Sequence, residues 1–331
     1  MGIKNLNRYL LDNCSKTSIK KIHLKHFANK IVAIDTSIYL YRFLSDGRLL
    51  ENMHRFISIL KSYHITPVFI FDGKPPEEKR ALLQKRRLDK RLAEKSFMLL
   101  QMELDSGQIL DAGQKETTLH KMDMLKRQFI RVRNEDVRNV KELMDAYGVV
   151  HFESSGEADQ LCAFLTTSGK AWGCMSDDMD MFLYGCSFVL RQVSLLSHTV
   201  MLYNTDSILT DLNMSRKEFC EIMVLSGTDY NTCEKTSLFE TLRWYKEYCK
   251  HKPNMNEETT SWRFYNWLMN NTKYIVDYES LVETYEIFQL TNDVELEKWR
   301  NVEIIESPIN VVDLQRIIGG REPTVPLRTL P

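Results

Sequence analysis

The chain has no Cys-x-x-Cys pair, no long apolar run and no excess of charge of either sign. Its seven cysteines, at 14, 162, 174, 186, 220, 233 and 249, are odd in number and scattered. That pattern argues against a disulfide framework and against a cysteine-rich zinc site, and it favours a reducing, intracellular compartment. No stretch is long and apolar enough to span a membrane and no secretory signal opens the chain, so no membrane association is expected. Met1-Gly2-Ile3 has the look of a myristoylation start, but Leu6 stands where a small hydroxyl residue is required. A net charge of −1 says nothing about an acidic partner, so only the local distribution of charge is informative. Internal repeats are absent. What is present is a globular composition, 43% hydrophobic and 27% charged over 331 residues, enough for one large or two ordinary domains.

Four short apolar runs read as strands that end in acids. Lys30 to Ile34 stops at Asp35, and Pro67 to Phe71 stops at Asp72. Gly148 to Phe152 leads into Ser154-Ser155-Gly156-Glu157, and Ala171 to Met175 stops at Ser176-Asp177-Asp178. Helical patterns fall between them, over 37–44, 49–63, 77–104, 117–146 and 157–168. Two further strands follow, Phe188 to Val193 and Thr199 to Tyr203. This alternation predicts an α/β fold with a mostly parallel central sheet flanked by helices. From about 206 onward the pattern turns helical, over 215–226, 236–250, 258–271 and 279–288. We therefore expect an α/β core over 1–205, a helical region over 206–316 and an extended tail over 317–331.

Parallel sheets bind ligands outside the carboxyl ends of their strands, and that is where this chain places its acids. Asp178 and Asp180 follow one strand directly, in the run Met175-Ser176-Asp177-Asp178-Met179-Asp180-Met181. Glu157 and Asp159 open a helix whose first turn meets the strand ends, where the helix dipole favours anions. Asp229 follows an apolar helix in Gly227-Thr228-Asp229-Tyr230. The candidate set is Asp35, Asp72, Glu157, Asp159, Asp178, Asp180 and Asp229. Hard oxygen donors without His or Cys suit two Mg²⁺ ions, with Mn²⁺ as a substitute, rather than zinc. Two such ions about 4 Å apart clamp a phosphodiester. Any one of these acids, taken alone, reads equally as a helix cap or a turn residue. Asp177 keeps that plainer reading. A lone Asp-x-Asp is also a weak mark of phosphatases and glycosyltransferases, but Met181 stands where an aspartyl-phosphate enzyme needs a small hydroxyl residue.

Charge is concentrated between Lys74 and Arg91, where eight basic residues face three acidic ones. Lys79, Arg86, Arg87 and Lys90 recur at helical spacing, with Lys85 beside them. Lys126, Arg127, Arg131 and Arg133 form a second block with no acid among them. Such stripes bind phosphate backbones. The alternatives are a solvated helix face, or a nuclear import signal in Gln84-Lys85-Arg86-Arg87.

In order along the chain, MGIKNL, VAIDTSIYLYRF, FIFDGKPPEEKR, SSGEADQLCAFL, SDDMDMFLYG and LSGTDYN resemble the motif series of flap endonucleases, the XPG-type structure-specific 5′ nucleases. The resemblance covers about 1–231 with gaps. It implies a PIN/5′-nuclease-like fold with a helical arch over about 74–135 and a C-terminal DNA-binding region, including a helix-turn-helix-like element over about 226–250. It implies a metal-dependent monomeric nuclease acting on branched or flapped DNA, in the nucleus or at a site of viral DNA replication. The seven acids fall on the family's metal-site carboxylates, with Asp159 where many relatives carry Glu. Gly2 falls beside the metals, Tyr41 on an aromatic that stacks on a base, and Lys79 and Arg86 on basic residues that reach the scissile phosphate.

Three departures limit the resemblance. The family's Gly-x-Gly turn after the GTDY motif, with its bound K⁺, is replaced by Asn231-Thr232-Cys233-Glu234-Lys235-Thr236-Ser237. Without glycine that K⁺ site is in question, and Lys235 with the hydroxyls is the candidate replacement for its phosphate contacts. Asp35 and Asp72 are only 37 positions apart, which leaves no room for the family's DNA-bending wedge and 3′-flap pocket. Arg321-Glu322 replaces the aromatic pair of a sliding-clamp motif, which argues against clamp recruitment by that route. These losses are what a trimmed enzyme of a large DNA virus would show. A second class of function, a non-catalytic binder of DNA junctions, would use the same basic surface without cleaving.

Overall fold

The structure, a computed structural model, describes residues 2–106, 111–231, 236–251, 263–290 and 294–319. Seven strands form one sheet: β1 (Ile19–His23), β2 (Ile31–Asp35), β3 (Thr66–Phe71), β4 (Val150–Glu153), β5 (Gly173–Met175), β6 (Phe188–Ser194) and β7 (Thr199–Asn204). Their spatial order is β1-β7-β6-β5-β2-β3-β4. The five strands from β6 to β4 run parallel, while β7 and β1 add an antiparallel edge. The chain builds outward from β2 to β3 and β4, then crosses back to place β5 on the other side of β2. The reversal opens a crevice at the carboxyl ends of β2 and β5, the usual ligand position in such sheets.

Alternation along the strands divides the core between the two faces. Ala33, Val68 and Ile70 pack with the helix Ala158–Thr167 and with the C-terminal helices, through Phe219, Tyr265 and Leu281. Val32, Ile34, Phe69 and Phe71 pack on the other face with the helices Leu49–Ser62 and Asn134–Tyr147. The C-terminal helices thus share one apolar core with the sheet. The last described helix, Val311–Ile318, returns to the opposite face, where Asn310 N–H donates to the Ala146 carbonyl at 2.8 Å. Gly148, with φ 64°, lets Ser307 approach: a Cβ there would stand 2.0 Å from the Ser307 carbonyl oxygen.

The structure corrects two expectations about the segment after Asp72. The pattern over 77–104 begins as a short 3₁₀ turn, Glu77–Lys79, and becomes α-helical over Arg80–Asp105. The single helix expected over 117–146 is two, Ala112–Gln128 and Asn134–Tyr147. Between them Phe129 turns in against Phe97, ring centroids 5.5 Å apart. The Arg133 N–H then donates to the Asp136 carboxylate at 2.8 Å, capping the new helix. Among the described residues no helix is long and apolar enough to cross a membrane. Lys235, most of the turn around it, residues 107–110 and the tail from 320 lie outside the described residues.

Candidate metal centre

Five segments carry the acids: the ends of β2, β3, β4 and β5, and the stretch after the helix Arg216–Leu225. Asp35 ends β2 and caps the helix Thr36–Ser45, its Oδ1 accepting from the Ser37 N–H at 3.1 Å. Asp72 follows β3; its Oδ1 accepts from the Ala158 N–H at 2.9 Å and its Oδ2 accepts from the Ser37 hydroxyl. In these two residues a hydrogen bond to a helix N-terminus coexists with a place at the crevice. After β5, Ser176 donates to Asp35 Oδ2 at 3.2 Å and accepts from the Asp178 N–H at 3.1 Å. The Asp180 N–H donates to Asp178 Oδ1 at 3.1 Å, which folds the Asp-x-Asp into a tight turn. Asp177 points elsewhere and accepts from the Gln192 N–H of β6 at 2.7 Å.

Burial sets the electrostatics. It pushes Asp35 up to about 8, with Asp72 and Asp178 adding to the rise and the bonds from Ser176 and Ser37 opposing it. Burial also holds Asp159 and Asp180 far above the usual carboxylate range. The charges of Asp35 and Asp178 raise Asp159 further, and those of Asp178 and Asp229 raise Asp180, while Lys79 lowers both. Asp159 Oδ1 and Asp180 Oδ1 are buried without a hydrogen-bond partner. An orphaned buried carboxylate oxygen is costly, and two of them in one acidic crevice fit a hard divalent cation.

Gly2 closes the floor. Its φ is +74°, and a Cβ there would lie 2.5 Å from both Asp178 Oδ1 and Asp180 Oδ1. Only glycine permits that approach. Gly2→Ala is expected to displace the Asp178–Asp180 turn and lower any metal-dependent activity at least about 10-fold, as loss of a ligand-orienting contact does. Comparison of initial rates with the melting temperature checks this; unchanged rates would remove Gly2 from the site.

Basic side chains of the helical insert reach into the same crevice. Lys79 is buried, its Nζ 2.7 Å from Glu157 Oε2 and 4.3 Å from the ring centroid of Tyr230. Burial alone would lower its pKa, but Glu157 more than offsets this and the net shift is upward. An Arg86 guanidinium nitrogen lies 2.6 Å from Asp229 Oδ2. Lys90 donates to the Ile130 carbonyl at 3.1 Å and sits 4.9 Å from the Tyr41 ring centroid. Tyr41, 44% exposed, lines a cavity of about 660 Å³ with Ser37, Asp72, Phe71, Arg138 and Lys141. Lys85, Arg87, Lys126, Arg127, Arg131 and Arg133 are exposed. Arg127 pairs with Asp123 at 3.0 Å and Arg131 with Glu94 at 2.8 Å.

Among the described residues no three His, Cys, Asp or Glu side chains already converge as a ligand set. Glu157 and Asp229 are instead neutralised by Lys79 and Arg86, and Asp72 is held by Ser37 and Ala158. The acids fit a cation in chemistry, and to serve as ligands Glu157 and Asp229 would have to exchange an internal cation for it. Arg86→Ala should therefore tighten Mn²⁺ binding several-fold in the DNA-free protein, read by calorimetry; weaker binding would show that Arg86 does not compete at Asp229. Three residues at the site escaped the sequence reading. Ser37 and Ser176 had one signal, their place within two residues of an acid, and Tyr230 had only its adjacency to Asp229.

Two regions of the chain match family models: residues 1–93 the XPG N-terminal domain, and residues 148–229 the XPG I-region. A flap endonuclease 1 of Aedes aegypti is 29% identical over 249 residues, covering 70% of this chain and 62% of the relative. One of Entamoeba dispar is 29% identical over 291 residues, 80% of this chain and 73% of the relative. This chain thus spans less than two thirds of the mosquito relative's length. Among solved structures, the catalytic core of Rad2 superposes with a TM-score of 0.64 at 20% identity, over 96% of this chain and 94% of that one. The XPG N-terminal match takes in Gly2, Asp35, Asp72, Lys79 and Arg86, and the I-region match takes in the remaining acids. With more than half of its residues inside those two regions, the chain belongs to the XPG-type flap endonuclease family.

Proposed function

We propose that the protein is a metal-dependent, structure-specific 5′ nuclease that hydrolyses phosphodiester bonds in branched DNA, as a 5′ flap endonuclease, a 5′–3′ exonuclease or both. The observation that carries this reading is one crevice with acids on its floor and Lys79 and Arg86 in its wall. Asp35, Asp72, Glu157, Asp159, Asp178, Asp180 and Asp229 would hold two divalent ions, Mg²⁺ by preference, directly or by orienting ligands and bound water. Bound there, the ions would activate a water, polarise the phosphate and stabilise the leaving oxygen.

The remaining work belongs to the chain. If Glu157 and Asp229 turned to the cations, Lys79 and Arg86 would lose their carboxylate partners and become free to bond the scissile phosphate. Tyr41, on the rim of the adjoining cavity, offers a ring face for a base next to the cut. The exposed basic residues Lys85, Arg87, Lys126, Arg127, Arg131 and Arg133 hold the phosphate backbone without reading sequence. Affinity for flapped DNA should therefore fall steeply, at least about 10-fold, between 50 and 200 mM salt, as for a handful of phosphate contacts. A salt-independent dissociation constant, measured by fluorescence anisotropy in Ca²⁺, would contradict this role for the basic surface. The family membership and the flap endonuclease 1 names of the two relatives support the reading. Action as a monomer in DNA replication, repair or recombination, in the nucleus, follows from the same reading.

The test is a panel of 5′-labelled single flap, double flap, nicked duplex and four-way junction, incubated with Mg²⁺ or with EDTA. Cleavage near the junction of the flap, abolished by EDTA, supports the proposal, and product sizes rank the subtypes. A gel shift without cleavage would instead favour a non-catalytic junction binder.

A further inference from the structure

Tyr230 stands where four parts of the molecule meet. Its hydroxyl donates to Glu157 Oε2, the same oxygen that lies 2.7 Å from Lys79 Nζ. Its ring face lies 4.3 Å from that ammonium. Behind it, the Tyr184 hydroxyl is 3.2 Å from the Tyr230 hydroxyl, and Tyr184 ends the short helix that begins directly after Asp180. Phe288, from the C-terminal helical region, packs edge-on against Tyr230 at 5.6 Å and tilted against Tyr184 at 4.9 Å. The tyrosine is also fixed from its own loop, since Thr228 Oγ1 accepts from the Tyr230 and Asn231 N–H groups at 3.1 and 3.2 Å. Its place on the protein is therefore over-determined: the ring packs on the core through Tyr184 and Phe288, while the hydroxyl donates to Glu157.

We propose that Tyr230 is a positioning residue that holds Glu157 and cradles Lys79, so that the carboxylate can turn to a cation while the ammonium stays at the site. The proposal rests on the nuclease reading and adds a residue to it. A buried ammonium needs compensation. In the described arrangement Glu157 supplies it by charge and Tyr230 by its π face. When Glu157 engages a cation, the π face remains, and Lys79 is not driven out to solvent. The hydroxyl acts on the other partner. By sharing Glu157 Oε2 with Lys79 it weakens their pair and keeps the carboxylate oriented. Without it, Lys79 is the only donor of the two left on that oxygen, and the ion pair tightens at the expense of both cation and phosphate.

Tyr230→Phe separates the two functions, because it removes the hydroxyl and keeps the ring against Lys79 and Phe288. The expected result is a fall in kcat of about 10- to 100-fold, the usual cost of losing a ligand-orienting bond. KM for a 5′ flap should stay within about 2-fold and the melting temperature should barely move. Mn²⁺ affinity, measured by calorimetry on the DNA-free protein, should weaken several-fold. In a Lys79→Ala background the same substitution should cost clearly less Mn²⁺ affinity, since the competing ammonium is gone and only the orienting bond is lost. Wild-type kcat and Mn²⁺ affinity in Tyr230→Phe would overturn the proposal. So would an equal loss of affinity with and without Lys79, which would reduce Tyr230 to a structural contact. Failure of the underlying reading looks different: the wild type itself would not cut, while the Mn²⁺ titrations would still report on Tyr230.

Discussion

Asp180→Asn should make the metal-free protein more stable and the enzyme inactive. The carboxylate is 2% exposed, one of its oxygens has no partner, and its proton is held far above the usual range by burial and by Asp178 and Asp229. An amide of the same shape is neutral without having to hold a proton against solvent, and it still offers a donor toward the neighbouring carboxylates. In EDTA at pH 8 the gain should be on the order of 1 kcal/mol, which raises the melting temperature by about 1–2 °C for a chain of this size. Cleavage of a flap in Mg²⁺ should fall by about 10²- to 10³-fold, the scale of losing one element of transition-state charge stabilisation. A residue kept for stability would show the reverse, a lower melting temperature with activity preserved. Stability given up at a site of function is a common exchange.

The second large effect is in the pH dependence of the Mg²⁺ response. Asp35 has a folded pKa of about 8 against about 3.9 for an unperturbed Asp. The folded state therefore holds a proton that the unfolded state has lost between those values. The stability this contributes is fully present below about pH 4 and is lost as pH rises toward 8. Asp159 and Asp180 shift in the same direction and add to the slope. Glu221, raised to about 7 by burial in the C-terminal helices, contributes a similar slope that Mg²⁺ should not touch. Cation binding requires ionised ligands and releases their protons. The rise in melting temperature on adding saturating Mg²⁺ should thus be small at pH 5.5 and several degrees larger at pH 8. An Mg²⁺ shift that is flat across this range would show that the raised carboxylates are not the ligands.

What could be read from the sequence follows from how locally each feature is encoded. Strands β2 and β3 are buried on both faces and end in an acid, so they stand out as apolar runs with a charged stop. β1 does not, because an edge strand needs few apolar residues and Ile19-Lys20-Lys21-Ile22-His23 reads as a polar segment. The break at Phe129–Arg133 contains neither Gly nor Pro; a turned-in phenylalanine and a backbone cap make it. The helix Val311–Ile318 hides for a different reason: only Leu314 is fully buried in it. At the site, the acids could be placed because they lie at strand ends, at the first turn of a helix or, for Asp229, just past a helix. The pairing of Lys79 with Glu157 and of Arg86 with Asp229 spans 78 and 143 positions, and Phe288 reaches Tyr230 from another region altogether. Contacts of that range leave no periodic trace, and the serines that orient Asp35 and Asp72 resemble any other loop serine.

The most direct measurement of the central claim is single-turnover cleavage of a 5′-labelled flap by the wild type and by Asp178→Ala, with DNA binding measured alongside in Ca²⁺. The account predicts cleavage near the junction by the wild type in Mg²⁺, none in EDTA, and none by Asp178→Ala, with flap affinity retained in both proteins. An Asp178→Ala protein that cuts at the wild-type rate, or a wild type that binds the flap and leaves it intact in Mg²⁺ and Mn²⁺ alike, would contradict it.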